Sequence, residues 1–226
     1  GAGRVAPGMC LHLLSSEQAE RAAPQSSPEI LNSALEGMLL ELLCWGCRDV
    51  NQLNWLDMPP AAALSAAQRL LHQLGAVDDQ GQLTPHGRGM AQMGCEPRLA
   101  SMLLRAQGRD AQTTAARLVA FLEERHGDAN SDVRLALENN ASTQRQRMGQ
   151  LLKRLAITPT QVDTALILPL VARSFADRIA RRRGIDGRYQ LANGVGAMVT
   201  HDDGLQRHEW LIALQLQQSD SSSNAR

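Results

Sequence analysis

The segment 61–106 constrains the fold more than any other part of the chain. Its apolar residues recur at i, i+3, i+4 and i+7 between Ala63 and Leu74, a spacing that predicts a helix with one apolar face. Gly75 then stands at the position of a left-handed C-cap, which indicates where this helix ends. Further on, Thr84-Pro85 supplies an N-cap residue and a proline for the first turn of a second helix.

Between these two helices the sequence predicts a small β-wing. The pairs Ala76-Val77 and Gln82-Leu83 flank the turn-forming run Asp78-Asp79-Gln80-Gly81, as two short strands around a tight loop would. A further helix is expected to begin at Pro97. This order of helix, wing and helices is typical of a winged-helix domain.

Helical patterns continue beyond the wing and then give way to strand-like ones. Glycine, asparagine or proline separates the predicted helices, which are 97–106, 110–124, a shorter one after Ser131, 142–157 and 160–173. Beyond Gly184 short strand-like runs follow at 189–191, 197–199 and 210–216, split by turn-forming residues. The chain is therefore expected to be mainly α, with a small β region at its end.

Four segments resemble DEAH-box helicases. Residues 70–104, LLHQLGAVDDQGQLTPHGRGMAQMGCEPRLASMLL, are similar to the junction between the winged-helix and ratchet domains of that family. Residues 3–8 are similar to the end of helicase motif VI, and residues 28–43 to the first winged-helix helix. The run DRIARRR at 177–183, followed by YQLANG at 189–194, is typical of the bacterial HrpB-type branch. Together they identify nearly the whole chain as a member of that branch.

The resemblance implies a mainly α fold with a winged-helix domain, a ratchet-like helical bundle and the start of a small OB-like β-barrel. Residues 1–16 would be a remnant of the second RecA-like domain, and residues 17–92 the winged-helix domain. Residues 93–165 would form the ratchet-like helical domain. Residues 166–226 would form a helix and the start of the barrel, and end in a disordered polar tail.

The function that this resemblance implies is that of an accessory region in an ATP-dependent helicase. It would guide single-stranded RNA or DNA while the RecA-like domains of the same polypeptide hydrolyse ATP with Mg²⁺. Arg4 matches the final arginine of motif VI, which by resemblance acts as an arginine finger on the γ-phosphate. Gly1 stands where the family has another arginine. We therefore expect the chain to be part of a larger enzyme.

Lys153 is the only lysine in the chain, and its context argues against independent ATP hydrolysis. A phosphate-binding P-loop needs Gly-x-x-x-x-Gly-Lys-[Ser/Thr], in which backbone amides surround the phosphates and the lysine neutralises them. Lys153 lies in an amphipathic helical run without the preceding glycines, and no DEAH-like acidic motif is present. We expect this chain alone to bind neither ATP nor Mg²⁺ and to be inactive as an ATPase.

A formal net charge of zero hides a strongly basic stretch at 140–190, which contains ten Lys and Arg residues against three acidic ones. Within it, Arg178, Arg181, Arg182 and Arg183 are expected to crowd the end of one helix, where their charges repel unless an anion or solvent relieves them. Guanidinium groups suit phosphate because each can donate two parallel hydrogen bonds. We predict that these four arginines contact a nucleic-acid backbone between the ratchet and the barrel; the alternative is a solvated helix face.

Two other functional classes stay open at this point. A stand-alone winged-helix DNA-binding regulator needs basic or amide side chains on its recognition helix and a basic wing. The predicted helix offers Arg69, His72 and Gln73, but the wing carries Asp78 and Asp79, which disfavours a regulator. A protein-interaction module without nucleic-acid contact is the third class, and salt-sensitive binding of single strands would separate it from the first.

The remaining composition bears on metals, membranes and stacking. The spacing Cys44-Trp45-Gly46-Cys47 occurs in metal and dithiol sites, but no second close Cys/His pair follows, so we expect all four cysteines to be reduced core thiols and no metal site. Aromatic residues make up 3% of the chain, which argues against a platform of stacked rings. No apolar run approaches the roughly twenty residues that cross a bilayer, and the first residues of the given sequence do not show a signal-peptide pattern. We expect a cytoplasmic protein without a membrane partner.

Overall fold

The computed structural model describes residues 3, 5–9, 11, 13, 15–21, 28–31, 33–124, 132–137, 142–184, 186–199 and 203–216. Its α-helices are α1 (Ser16–Arg21), α2 (Glu36–Trp45), α3 (Ala61–Gln73), α4 (Pro85–Met93), α5 (Pro97–Arg105), α6 (Arg109–Glu124), α7 (Val133–Ala136), α8 (Ser142–Arg154) and α9 (Ile167–Ser174). Its strands are β1 (Ile179–Arg182), β2 (Arg188–Leu191), β3 (Gly196–Met198) and β4 (Trp210–Ile212). The predicted fold class, mainly α with a winged helix and a small β region, is confirmed.

The helix caps around the wing lie where the sequence predicts them. Helix α3 ends before Gly75, which has a φ of 73°. Helix α4 begins after Thr84, whose hydroxyl oxygen accepts a hydrogen bond from the Gly87 N–H at 2.9 Å. The wing itself is smaller than expected, since a single antiparallel bridge between Val77 and Leu83 stands in place of two strands.

The first winged-helix helix is shorter than the predicted 28–43. A single 3₁₀ turn, Glu29–Leu31, precedes it, and α2 begins only at Glu36. The Ser33 hydroxyl and backbone N–H both donate to the carbonyl of Glu29, and residues 34 and 35 then lie outside any helix. At its other end α2 is capped by Gly46, which is left-handed and whose N–H points to the carbonyls of Leu42 and Leu43.

Helix α6 lies at the centre of the helical bundle, packed against α5, α8 and α9. Its buried face is built of small and branched apolar residues, and two buried threonines on it bind the following loop. The backbone N–H of Thr160 donates to the Thr113 hydroxyl at 3.1 Å, and that of Asp163 donates to the Thr114 hydroxyl at 3.0 Å. Residues 160–163 are therefore held as a loop, and the predicted helix 160–173 begins as α9 only at Ile167.

The winged helix and the bundle share one hydrophobic core. Buried apolar residues form a continuous cluster from Leu35 on the approach to α2 to Phe175 after α9. The sheet has a smaller core of its own, built from Ala180, Tyr189 and Leu191. Its four antiparallel strands lie in the order β3-β2-β1-β4. Among the described residues, no helix is long and apolar enough to cross a membrane.

Candidate nucleic-acid interface

The predicted arginine cluster lies on a strand and not at the end of one helix. Arg178 ends a 3₁₀ turn, Arg181 and Arg182 belong to β1, and Arg183 follows directly. Hydrogen bonding to β2 on one side and β4 on the other holds this run extended. Because side chains alternate between the two faces of a strand, consecutive arginines point in opposite directions and do not form a single patch. The expected crowding on one helix is therefore wrong.

Arg178 is turned into the protein. Its Nη1 donates to the carbonyl of Leu214 at 3.0 Å, and its guanidinium carbon lies 5.7 Å from the centroid of the Phe175 ring. Burial, followed by the positive charge of Arg98, lowers the pKa of Arg178. Its contacts hold the segment after β4 against the turn before β1, which is a structural role.

Arg182 also has a structural role. It lies on the same face of the sheet as Tyr189, and its Nη1 donates to the carbonyl oxygens of Gln206 at 3.2 Å and Arg207 at 3.3 Å. The Tyr189 hydroxyl donates to the carbonyl of His208 at 2.7 Å. Together the two side chains fasten the segment 203–208 over this inner face, so Arg182 is engaged by backbone acceptors.

Arg181 and Arg183 lie on the opposite, outer face. The side chain of Arg181 is 66% exposed and approaches the carboxylate of Glu209 at 3.4 Å. Its guanidinium carbon lies 5.5 Å from the centroid of the Trp210 ring. The backbone N–H of Arg183 donates to the carbonyl of Arg188 at 2.7 Å, which continues the β1–β2 pairing by one step. Arg183 is exposed as well, so two of the four predicted contact residues remain accessible.

The strand register places these residues in two exposed rows. Trp210, Arg181, Gln190 and Gly196 lie side by side across all four strands. The next row has Arg183 beside Arg188 and Arg188 beside Met198. We call the side chains of both rows the outer face: Arg181, Arg183, Arg188, Gln190, Met198 and Trp210.

The two rows of the outer face are mainly polar and cationic, whereas the next row on the same side of the sheet is apolar. Ile179 and Ile212 pair in a third row, and Ile212 packs against the core of the helical body. Arg188 forms an exposed ion pair with Asp186 at 3.0 Å. Exposed ion pairs of this kind contribute little to stability, so the arginines can exchange carboxylate partners for phosphate at small cost. The arrangement can therefore bind a polyanion along the two exposed rows.

Two further arginines of the basic stretch cap a helix. Arg154 of α8 donates through Nη1 to the carbonyls of Gln92 and Met93, and Arg147 donates through Nη2 to the carbonyl of Gly94 at 2.7 Å. These carbonyls end α4, where the helix dipole favours positive charge. Arg147 also pairs with Glu123, with its Nε at 2.6 Å from the carboxylate. These two side chains tie α8 to the end of α4, so the basic stretch is not one continuous binding surface.

Arg4 lies outside the described residues, as does Cys10. Lys153 is exposed on α8 and is preceded directly by Leu152, so the described part of the chain has no glycine-rich loop that could surround ATP phosphates.

The cysteine positions correct one expectation. Cys47 and Cys95 are half-buried, but Cys44 is exposed on α2 and is not a core thiol. Burial, with the charge of Glu123, raises the pKa of Cys95 to about 12. Within the described ranges, no group of three or more His, Cys, Asp or Glu side chains could hold a metal ion.

The wing is acidic in structure as in sequence. The Asp78 carboxylate accepts backbone N–H groups from Gln80 at 3.0 Å and Gln82 at 2.8 Å, which holds the wing tip in its turn. Asp79 lies 2.8 Å from His72 Nε2 on α3. An acidic wing paired to the helix beside it is unsuited to phosphate.

The outer face also contains four residues that were not predicted to contact nucleic acid, namely Arg188, Gln190, Met198 and Trp210. The aromatic content of a sequence does not say which rings are exposed. Only the pairing of β1 with β4 brings Trp210 beside Arg181. The one sequence signal that could have predicted the position of Gln190 is the alternation in residues 188–191. Because Tyr189 and Leu191 face inward, Gln190 between them faces outward.

Comparison with known proteins relates the chain to helicases. The family model of the helicase-associated domain (HA2), winged-helix, matches residues 67–95. The ATP-dependent RNA helicase HrpB of Escherichia coli (strain K12) is 54% identical over 225 residues, which is 100% of this chain and 28% of that protein. The pre-mRNA-splicing factor ATP-dependent RNA helicase prp22 of Schizosaccharomyces pombe is 38% identical over 46% of this chain and 9% of its own length.

Solved structures agree with these relatives. The crystal structure of the E. coli DExH-box NTPase HrpB superposes with a TM-score of 0.82 at 54% identity, over 97% of this chain and 27% of the other. The crystal structure of the Escherichia coli DEAH/RHA helicase HrpB gives a TM-score of 0.83 at 55% identity, over 96% and 28% of the two chains. The chain thus spans just over a quarter of the length of the relatives that it matches throughout.

Proposed function

The chain belongs to the HrpB-type branch of the DEAH-box helicase family, and we propose that it works as an accessory region that guides single-stranded nucleic acid in an ATP-dependent RNA helicase. RecA-like domains of the same polypeptide, outside this chain, hydrolyse ATP with Mg²⁺. Arg4 is the residue of this chain that reaches their nucleotide, as an arginine finger. We propose RNA as the strand that this region binds, because the relatives are named as RNA helicases.

The exposed arginines of the outer face are the observation that carries this proposal. Arg181 and Arg183 are accessible on one side of the sheet, and Arg188 lies beside Arg183. Guanidinium groups bind phosphate oxygens with two parallel hydrogen bonds, and contacts to the backbone of a strand do not depend on its sequence. A strand bound in this way can move past the surface, as guidance during translocation requires.

The two competing functions find less support. A winged-helix regulator would need a cationic wing, whereas Asp78 and Asp79 are tied into an acidic one. A protein partner on the outer face would need an apolar centre to its interface, and the two apolar side chains there, Trp210 and Met198, are separated.

Binding of labelled single strands at several salt concentrations tests the proposal. We expect weak binding to RNA and DNA 20-mers, indifferent to sequence and steeply dependent on salt. Replacing Arg181 and Arg183 by glutamine should lower the salt slope by up to about 1.4, at about 0.7 for each lost phosphate contact.

A matched control removes two exposed arginines from helices elsewhere. The pair Arg69→Gln and Arg109→Gln lies on α3 and α6 and changes the net charge by the same amount. This control should leave the slope nearly unchanged. If both pairs change the slope equally, only net charge matters, and the outer face is not the binding surface.

A further inference from the structure

We propose that Trp210 and Arg181 form a stacking site for one unpaired base of the bound strand. This inference rests on the proposed function and adds a base contact to the phosphate contacts argued above. Trp210 is 56% exposed, although a tryptophan side chain gains more than most from burial. The other aromatic rings of the sheet unit and its approach, Tyr189 and Phe175, are buried.

Arg181 orients the indole. Its guanidinium lies over the ring at 5.5 Å, within the range of a cation–π interaction, and Glu209 holds the guanidinium from the side at 3.4 Å. A ring fixed in this way loses little further freedom when a base stacks on it, or on the guanidinium plane beside it. Single-strand-binding proteins use this combination of an aromatic ring and a cation because every base has a π face.

The neighbouring positions leave room for a nucleotide. Gln190 follows Arg181 in the same row and presents an amide that can donate to or accept from a base edge. Gly196 completes the row, and a Cβ built on it would meet no atom within 4 Å, so the space above it is open. The row of Arg183 and Arg188 lies two residues further along the strands, about 7 Å away, within reach of the phosphates on either side of a stacked base.

Charge favours a strand of nucleic acid over a protein partner on this face. Within 179–184, 186–199 and 203–216 there are five arginines and three acidic residues. Trp210 and Met198 lie at opposite edges of the sheet with charged and polar side chains between them, so they form no continuous apolar centre of the kind that stable protein interfaces have. An exposed aromatic flanked by cations instead matches the π faces and phosphates of an unpaired strand.

The test compares tryptophan variants on strands with and without bases. Trp210→Leu keeps apolar bulk and loses stacking, and should weaken binding of a single-stranded RNA 20-mer by about 5- to 100-fold. Trp210→Phe should recover much of that loss. Trp45→Leu removes an exposed tryptophan from α2 and should change binding less than twofold.

The second arm uses an RNA of the same length with abasic sites through its centre. The unmodified chain should bind it more weakly than the base-containing strand, a comparison that needs no variant, and Trp210→Leu should have little effect on it. The stacking site is overturned if Trp210→Leu lowers the affinity for the abasic strand as much as for the base-containing one. It is also overturned if Trp45→Leu lowers the affinity for RNA as much as Trp210→Leu does. If salt-dependent binding persists while base-containing and abasic strands bind alike, the stacking site fails and the proposed function stands. If the unmodified chain binds no strand, both fail.

Discussion

Arg98 and Asp177 form a bidentate ion pair that joins the helical body to the sheet. Nη1 of Arg98 lies 2.7 Å from Oδ1 of Asp177, and Nη2 lies 2.8 Å from Oδ2. The same Nη1 also donates to the carbonyl of Ser174 at the end of α9. On the other side, the Asp177 carbonyl accepts the Asn193 N–H from the turn between β2 and β3. One pair therefore sets the position of the strand that carries Arg181 relative to α5.

Breaking this pair on one side should destabilise the chain strongly. Arg98 is only 7% exposed, so Asp177→Asn removes the partner of a buried charge, and such a loss costs about 3–5 kcal/mol. We expect urea unfolding of Asp177→Asn to show a loss of this order. The control Arg134→Gln breaks the exposed ion pair with Asp132 and should cost at most about 1 kcal/mol. Equal losses in the two variants would contradict the importance of the buried pair.

The same carboxylate should make stability depend on acid pH. Burial alone would raise the pKa of Asp177, but the hydrogen bonds and charge of Arg98 outweigh it, and the pKa lies below its usual range. A carboxyl with a lowered folded pKa contributes stability that is present above its unfolded pKa, about 3.9, and is lost as the pH falls through the folded value.

The difference in unfolding free energy between the unmodified chain and Asp177→Asn should therefore be constant above about pH 5 and shrink below about pH 4. Chemical denaturation between pH 3 and pH 7 measures it. A difference that stays constant down to pH 3 would mean that Asp177 is not the titrating group.

Local signals account for the elements that the sequence predicted well. The caps at Gly75 and Thr84 each depend on one residue and its immediate neighbours, and both are in place. Helices α5 and α6 likewise follow from apolar spacing and differ from the expected bounds by one residue at single ends.

Strand β1 and the outer face depend on contacts that sequence periodicity does not encode. The run Ile179–Arg182 has no alternation of apolar and polar residues, and pairing with β2 and β4 from later in the chain holds it extended. The four arginines therefore looked alike in sequence. Strand alternation and the carbonyl groups at 206–214 leave Arg181 and Arg183 exposed and hold Arg178 and Arg182 half-buried.

Gly75 should tolerate a side chain less well than Gly81. Its φ of 73° is unfavourable for other residues, and a Cβ there would lie 2.8 Å from Nη2 of Arg105, which donates to the Leu74 carbonyl at 2.6 Å. Gly81 has a similar φ of 70° with open space around it. We expect Gly81→Ala to cost about 1–2 kcal/mol from backbone strain alone, and Gly75→Ala to cost more. Thermal unfolding of both variants measures the difference, and equal costs would show that Arg105 moves aside freely.

The thiols should differ in reactivity and hold no zinc. The thiolate is the reactive form, and a pKa of about 12 keeps Cys95 protonated at pH 8, so alkylation by iodoacetamide should label it far more slowly than exposed Cys44. Peptide mass spectrometry over time gives the two rates. Metal analysis of the same protein should find far less than one zinc per chain. Stoichiometric zinc that is lost in Cys47→Ser would contradict the expected reduced, metal-free thiols.

The 226-residue chain should have no ATPase activity of its own. Its single lysine, Lys153, lies exposed on α8, where no glycine-rich loop directs backbone amides toward a phosphate. In P-loop enzymes such amides, together with a lysine, neutralise the charge of the ATP phosphates during phosphoryl transfer. Phosphate release measured with Mg²⁺ and ATP, with and without single-stranded RNA, should stay at the level of a buffer control. The variant Lys153→Ala serves to identify the source of any signal, since a contaminating ATPase would be indifferent to it. Turnover that survives purification and disappears in Lys153→Ala would contradict the prediction and give this chain a nucleotide site of its own.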